Sequence, residues 1–372
     1  MRKTEIDGIK ISYPEEVVMA FNPVIVDVDA GATSMASLTV SVRPDLTMTY
    51  KAYGNRCTAD IRELMQATMA TEELDYWPDY AAAKRTGETK SLLLSITGYT
   101  PSGEKIFQFN SETYAVWGAL YQGETFNGKR RLTYFEGYPF TFGIYGGYND
   151  ADPSATPDRL IIAADGTDMQ QLDYGNGVGI YNIPLPLTAG ARHYEVYDLR
   201  GNLRSMTFDA TFDTSFHLSQ GKGVRTKVLD IEVAQCRFDN PVYLRWIDRQ
   251  GFLCHWLFRE GERQTATTTD GEFLRNNLPY WDEGTGWRGT NGRRQSYGRE
   301  DTQQICAPLI DREQFDMLQD IATSPIVDMW LADTQKWVHV TVRNGTYTKL
   351  GDASLQDFQL EIVREAQHIQ GL

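Results

Sequence analysis

Short runs in which apolar and polar residues alternate, separated by Gly, Pro, Asn and Asp, are the feature that most constrains how this chain folds. Examples are Ser37–Val42, Lys227–Val233 and Trp337–Val342. Successive side chains of a strand point to opposite faces, so each run can bury one face and expose the other. Aromatic residues, which favour strands, make up 12% of the chain. The sequence therefore predicts a mainly β protein.

Two segments are predicted to be helical. The first lies near 58–70, where Thr58 is a candidate N-cap and apolar residues recur on one face. The second lies near 311–323, where Asp311 and Gln314 have the spacing of a capping box. Each helix is expected to cover a sheet rather than to join a helical bundle.

An internal similarity links the two ends of the chain. Phe21–Val26 resembles Phe238–Leu244, because both contain an Asn-Pro-Val motif after a Phe. The order strand, strand, long loop, helix and hairpin follows in both places. Two copies of one structural unit are one interpretation of this pattern. Chance identity between short motifs is the other.

Three domains are predicted from this organisation. Residues 1–113 would form an N-terminal tube-like β domain, 114–230 a central β-rich domain, and 231–372 a C-terminal tube-like β domain. The last of these would contain a long loop at 260–305, which is polar and rich in glycine.

A loop of this length inside a compact domain is usually functional or disordered. One interpretation is an extended hairpin or arm that orders against a neighbouring subunit, and the other is a solvated loop. Its arginines stand out in an acidic chain and would suit an acidic partner surface. The candidate interface residues are Trp281, Trp287, Arg288, Arg293, Arg294, Tyr297 and Arg299.

The overall charge limits the class of partner. With 36 Lys and Arg against 50 Asp and Glu, the net charge is −14, which argues against binding nucleic acid. No apolar stretch approaches the roughly 20 residues that a membrane span needs. The basic start is not followed by the apolar core of a signal peptide, so synthesis in the cytosol is expected. The four cysteines form no C-x-x-C pair and are expected to be reduced and mostly buried.

Motifs that carry chemistry are absent from the sequence. The five histidines are isolated, with neither His-x-x-x-His nor His-Glu-x-x-His spacing. The glycine-rich run Gly175–Gly179 is not followed by a helical pattern, as a dinucleotide site would require. Pairs of carboxylates are expected by chance in so acidic a chain. The sequence therefore predicts no enzyme, no cofactor and no metal site.

Several segments together resemble the tail-tip proteins of phages and prophages from Bacteroides-like bacteria. They are Tyr53–Met65, Phe238–Phe258, Ala307–Pro325, Lys336–Thr348 and Leu355–Val363. The similarity covers about half of the chain, and the motifs are structural, so no functional residue carries over.

This resemblance implies a distal tail or baseplate hub-like protein. Such proteins have β-sandwich or split-barrel tube-like domains, each with one flanking helix and an elongated loop. They are structural virion components, assembled in the host cytoplasm, that form a ring joining the tail tube to the host-recognition apparatus. A homo-oligomeric ring in contact with other phage tail proteins is therefore expected, hexameric for a single unit and trimeric for a duplicated one.

Two other functional classes are left open by the sequence. A carbohydrate-binding or receptor-binding β-sandwich module of a tail adhesin would use exposed aromatic residues to stack on a host surface glycan. A glycoside hydrolase would need two carboxylates placed across a sugar bond, and the sequence offers no pair to nominate.

Overall fold

A computed structural model describes most of the chain. The described residues are 1–69, 84–85, 89–126, 130–146, 159–164, 167–173, 179–185, 193–198, 203–209, 215–221, 224–274, 280–284, 286–288, 292–351 and 353–364. The chain divides into two compact units. The first comprises Met1–Cys236, Arg245–Trp256 and Ser324–Ile326, and the second comprises Arg237–Leu244, Leu257–Thr323 and Val327–Leu372.

Two sheets at the start of the first unit pack face to face. One has the strand order β1-β2-β4-β7 and the other the order β3-β10-β9-β5-β6. Their strands are β1 (Arg2–Ile6), β2 (Ile9–Tyr13), β3 (Val17–Met19), β4 (Ile25–Asp29), β5 (Ser37–Arg43), β6 (Leu46–Lys51), β7 (Arg56–Asp60), β9 (Thr89–Tyr99) and β10 (Lys105–Val116).

The core of this sandwich comes from the alternating residues of both sheets. Val26 and Val28 of β4 are buried on one side, and Leu38 and Val40 of β5 on the other. Both strands bury every second residue, as the alternation predicted. The predicted β-sandwich character is therefore confirmed.

The first helix is shorter than predicted. Helix α1 (Arg62–Gln66) has Ile61 at its N-cap, so the predicted N-cap at Thr58 is wrong. Thr58 lies in β7, opposite Asp27 of β4, and its hydroxyl donates to the Asp27 carboxylate at 2.6 Å. The backbone of β7 pairs with β4, so these residues are not available to extend the helix towards its N-terminus.

The rest of the first unit contains two further sheets. One has the order β11-β19-β12-β15-β8, with β18 also paired to β19, and the other the order β14-β13-β16-β17. Their strands are β8 (Lys84–Arg85), β11 (Arg130–Phe135), β12 (Phe140–Gly146), β13 (Arg159–Ala164), β14 (Thr167–Asp173), β15 (Gly179–Leu185), β16 (His193–Asp198), β17 (Leu203–Asp209), β18 (Ser215–Gly221) and β19 (Val224–Ala234).

A seven-stranded sheet with the order β26-β25-β20-β21-β24-β28-β27 dominates the C-terminal part, and β22 and β23 form a separate pair. The strands are β20 (Pro241–Ile247), β21 (Leu253–Leu274), β22 (Tyr280–Asp282), β23 (Gly286–Arg288), β24 (Gly292–Ile310), β25 (Val327–Leu331), β26 (Lys336–His339), β27 (Thr341–Val342) and β28 (Gln356–Val363). Residues of β20 and β21 belong to both units.

The second predicted helix is confirmed. Helix α2 (Arg312–Gln319) is followed by a 3-10 helix at Asp320–Thr323. The backbone N–H of Gln314 donates to the Asp311 carboxylate at 2.9 Å, and the backbone N–H of Asp311 donates to the Gln314 side chain at 3.1 Å. The capping box is therefore complete, and Phe315 is buried beneath it.

The division of the chain differs from the three predicted domains. The boundary at 113 falls inside β10, and the boundary at 230 falls inside β19. The two compact units are also built from discontinuous segments. Domain boundaries predicted from the order of the sequence cannot reproduce such units, because pairing between distant strands creates them.

The internal similarity is not matched by the strand pairing. In the N-terminal sandwich, β4 and β5 lie in different sheets, whereas β20 and β21 are neighbours in one sheet. β4 follows the first Asn-Pro-Val motif and β20 begins within the second, so strands that match in sequence order differ in how they pair. Duplication stays a hypothesis about sequence order alone.

Candidate functional site: an extended β arm

The segment 260–305, predicted as a long loop, contains two long paired strands instead. β21 and β24 pair antiparallel from Arg259 opposite Cys306 to Leu274 opposite Gly292. Over much of this segment the structure therefore describes an extended hairpin, which is one of the two interpretations of the long loop.

The outer part of this hairpin is a two-stranded ribbon. β28 pairs with β24 only from Thr302 to Ile310, so among the described pairings the ribbon has no third strand beyond Thr302. We call residues 265–274 and 292–301 the arm. At roughly 3.3 Å per residue, its strands are about 33 Å long.

Local composition explains why the arm is extended and why its residues 265–268 are exposed. Threonines at 265, 267, 268 and 269 favour strand geometry. They do not supply one apolar face for a core to cover. Accordingly, the side chains of 261–268 are all exposed, including neighbours that point to opposite faces. A two-stranded ribbon by itself is only marginally stable in water, so contact with another surface would stabilise the arm.

Charged and polar side chains hold the root of the arm. Asp301 accepts hydrogen bonds from Thr265 at 2.6 Å and from Arg299 at 3.0 Å. Arg299 lowers the pKa of the Asp301 carboxyl, and the Thr265 hydroxyl lowers it further. Next to this group, Arg343 pairs with Glu300. These contacts fix the strands at the point where the third strand ends.

A second polar chain lies on the inner side of the root. Glu260 accepts from Arg263 at 2.6 Å and from Gln303 at 2.9 Å. Arg364 in turn donates to Gln303 at 2.9 Å. Exposed ion pairs each contribute little to stability, and these contacts join β21, β24 and the residue that follows β28 at the root.

An open pocket of about 360 Å³ lies at the base of the arm. Arg259, Glu262, Cys306 and Arg343 are among its lining residues, so its surface carries both signs of charge. Burial raises the pKa of the Cys306 thiol, which keeps it protonated at neutral pH. The irregular segment 343–347 forms another wall.

The predicted interface residues all lie on the arm or on the strand pair β22–β23. Trp281 faces Trp287 in register across β22 and β23. The others take part in these register pairs: Arg288 with Tyr280, Arg293 with Phe273, Arg294 with Glu272, Tyr297 with Thr269, and Arg299 with Thr267. Only Arg299 has a described side chain, and it is exposed. The others are placed by backbone register alone.

Sequence reasoning missed the polar contacts at the root. Arg343 reaches Glu300 across 43 positions of sequence, and Gln303 reaches Glu260 across the same separation. No local pattern marks such pairs. The long polar stretches on either side of a Gly-rich centre were the available signal, because two strands of equal length must flank the tip of a hairpin.

A buried polar cluster in the first unit is a second candidate. The guanidinium of Arg130 lies 3.4 Å from the ring centroid of Phe252, and burial lowers the pKa of Arg130 to about 10. Asp248 accepts the backbone N–H groups of Gln250 and Phe252 at 2.9 and 2.8 Å, and burial raises its pKa. These contacts fix the turn between β20 and β21, which is a structural role.

The described part of the chain contains no group of three or more His, Cys, Asp or Glu residues arranged to bind a metal ion. Within the same residues, no helix has the length and apolar character needed to span a bilayer.

Comparison with known proteins identifies no family. The chain matches no protein-family model and no curated protein. Among solved structures it is similar to the fibronectin(III)-like modules of Clostridium thermocellum CbhA, with 11% identity and a TM-score of 0.17 over 62% of this chain and 95% of that one. A protein of unknown function from Porphyromonas gingivalis W83 gives 10% identity and a TM-score of 0.17 over 60% and 99%. TM-scores this low carry no argument about function.

Proposed function

We propose that this protein is a structural component of a phage tail tip. In this role it forms a homo-oligomeric ring, of the distal tail or baseplate hub kind, between the tail tube and the host-recognition apparatus. The arm carries the proposal, because a two-stranded ribbon of about 33 Å with no third strand among the described pairings gains stability by lying against another subunit.

The physical argument for a ring concerns unsatisfied surfaces. Sheet edges and ribbons present unpaired backbone groups, which proteins protect by covering or pairing them. A head-to-tail contact between identical chains satisfies one such surface per subunit, and the series ends only when it closes on itself. A ring therefore covers every arm.

The proposal includes the partners and the place of action. The ring would contact other phage tail proteins and would be located in the virion after assembly in the host cytoplasm. It would act without an enzymatic reaction and without a cofactor. Its net charge of −14 would discourage adhesion to passing DNA.

The test compares the full chain with a variant lacking the arm. Thr265 and Asp301 are register partners, so an Asn-Gly turn joining them would close a short hairpin in place of the arm. Mass photometry should show closed oligomers for the wild type and monomers for the variant. Circular dichroism should show a folded β protein in both, and cryo-EM of the wild-type oligomers should show rings.

A wild-type chain that remains monomeric at micromolar concentrations would overturn the proposal. If that monomer bound a bacterial surface glycan, the carbohydrate-binding module of a tail adhesin would replace it. Trp287→Ala tests this alternative, since stacking on a sugar needs the indole ring.

A further inference from the structure

Strand β6 (Leu46–Lys51) lies at an edge of the five-stranded sheet in the N-terminal sandwich. Among the described pairings its only partner is β5. Helix α1 lies near both β5 and β6, whereas a helix along the edge would contact only the outermost strand. It therefore packs against the inner face of the sheet, where Leu64 and Met65 are buried. The outer side of β6 is open in the described part of the chain.

The backbone groups of Thr47 and Thr49 point away from β5. The carbonyl oxygen of Lys51 shows this direction, because it accepts from the Cys57 thiol at 3.8 Å, outside the ladder with β5. Backbone groups alternate in direction along an antiparallel strand, so residues 47 and 49 face the same way as Lys51. The hydroxyls of Thr39 and Thr49 are 3.0 Å apart, as in a pair that exchanges no backbone hydrogen bonds and so brings its side chains closer. Two N–H donors and two carbonyl acceptors therefore line this edge.

Such an edge is usually protected against pairing with another chain. Natural proteins place prolines, charged side chains or bulges in exposed edge strands. Residues 46–50 contain no charged residue and no proline, and the pairing of 47–51 with β5 is regular. Threonines alternate in this strand with apolar residues that are partly buried. The edge of β6 is thus suited to receive a further strand.

Opposite charges flank the strand. Asp45 comes just before β6 and Lys51 ends it, and both are exposed. When two copies of β6 pair antiparallel about a two-fold axis at Met48, Asp45 of each copy lies opposite Lys51 of the other. Opposite charges directly across an antiparallel pair stabilise it. An axis at Thr47 or Thr49 would place Asp45 opposite an uncharged residue instead, so the charges select the axis at Met48.

The other charged groups near the two ends of β6 carry both signs. They are Arg43 and Lys90 at the start of the strand, and Asp60, Arg62 and Glu63 at its end. With Asp45 and Lys51 included, two positive groups and one negative group lie at the start, and two of each sign lie at the end. A net charge of −14 makes copies of this chain repel one another in general, whereas neither end of β6 carries an excess of negative charge.

The same register matches the remaining residues. Thr47 lies opposite Thr49 of the other copy, and these residues carry the open backbone groups, so each such pair can exchange two hydrogen bonds. Leu46 lies opposite Tyr50, and both are partly buried on the same face of the sheet. Each side chain therefore meets one of similar character, and the two five-stranded sheets become one continuous sheet.

We propose that β6 pairs antiparallel with β6 of a second copy of this chain, about a two-fold axis at Met48. The contact is isologous, because both copies use the same strand. One strand pair buries less than the roughly 1,200 Å² of a stable complex, so the contact is weak by itself. It goes beyond the proposed function, because it uses the N-terminal sandwich and not the arm, and combined with a ring it joins one ring to another.

Disulfide trapping of the full chain tests the register. In Met48→Cys the new thiols of two copies lie directly opposite each other at the axis. Opposed Cα atoms of an antiparallel pair are about 4.5–5.5 Å apart, which is within the range of a disulfide, and oxidised glutathione supplies the oxidant. Leu93→Cys is the matched control, because Leu93 is 62% exposed on β9, in the middle of the same sheet. On a non-reducing gel Met48→Cys should give a covalent dimer, whereas Leu93→Cys and the wild type should remain monomeric.

Charge reversal in the Met48→Cys background tests the complementarity. Asp45→Lys places two lysines opposite each other at both ends of the contact and should slow cross-linking by roughly tenfold. Adding Lys51→Asp exchanges the two charges and should restore the rate. Circular dichroism should show the same β fold in every variant, since both side chains are exposed.

Two results would overturn the inference. One is equal cross-linking of Met48→Cys and Leu93→Cys, and the other is a charge exchange that does not restore the rate lost in Asp45→Lys. The ring proposal can fail separately, because it is tested by removing the arm. A chain without the arm should still cross-link through Met48→Cys, and failure of Met48→Cys to cross-link leaves the ring proposal standing.

Discussion

Replacing Gly251 by alanine tests how the turn between β20 and β21 fits into the first unit. Gly251 has a φ of +82°, and its backbone N–H donates to the Asp248 carbonyl at 3.0 Å. An added Cβ would lie 2.6 Å from the Trp117 carbonyl oxygen and 2.7 Å from Cγ1 of Val116. Both distances are shorter than a normal van der Waals contact, and the carbonyl belongs to the backbone, so it cannot move aside easily.

Two costs add in this variant. The left-handed conformation costs an alanine roughly 1–2 kcal/mol, and crowding in a packed region costs roughly 1–3 kcal/mol more. Gly103→Ala is the matched control in the same unit, because Gly103 has a φ of +85° with no atom within 4 Å of the added Cβ. The control should therefore show only the conformational cost.

Urea unfolding followed by tryptophan fluorescence measures both variants. We expect Gly251→Ala to lower the free energy of unfolding of the first unit by about 1–3 kcal/mol more than Gly103→Ala does, which is the crowding cost alone. Equal unfolding midpoints for the two variants would refute the close approach of this turn to residues 116 and 117.

Three further predictions test separate parts of the fold. Asp311→Ala removes the cap of α2 and should cost about 1 kcal/mol, whereas Asp311→Asn should keep most of the stability; equal loss in thermal denaturation would contradict the capping role. Phe315→Ala should lower the free energy of unfolding by about 3–5 kcal/mol, since the ring is buried against Phe358 at a centroid distance of 5.3 Å. A loss below about 1 kcal/mol in urea unfolding would show that the site is loosely packed. The hydrogen bond from Arg56 lowers the pKa of Asp27 below its ordinary 3.8. The contribution of this carboxylate to the stability of the fold is therefore present above pH 3.8 and is lost as the pH falls through the folded pKa. An NMR titration of the carboxyl carbon with a midpoint at or above 3.8 would contradict this prediction.

Local patterns in the sequence determined much of the secondary structure. The alternation in Ser37–Val42 gave a strand with its apolar residues buried, as in β5. The pair Asp311 and Gln314 marked the start of α2 correctly. Both signals act within a few residues, because strand alternation and capping boxes depend on neighbours along the chain.

Tertiary structure decided the features that depend on distant partners. Thr58 joined a strand rather than a helix because β4 was there to pair with it. The polar segment 260–305 formed an arm because its two halves pair in register, which decided between the two interpretations that the sequence allowed. The exposed, left-handed Leu309 arose from a mismatch between β24 and β28. Sequence by itself fixes which residues can enter a strand. The register of the strand and its partner are set by contacts between residues far apart in the chain. Closing the chain between such residues costs entropy, which only the whole fold can offset.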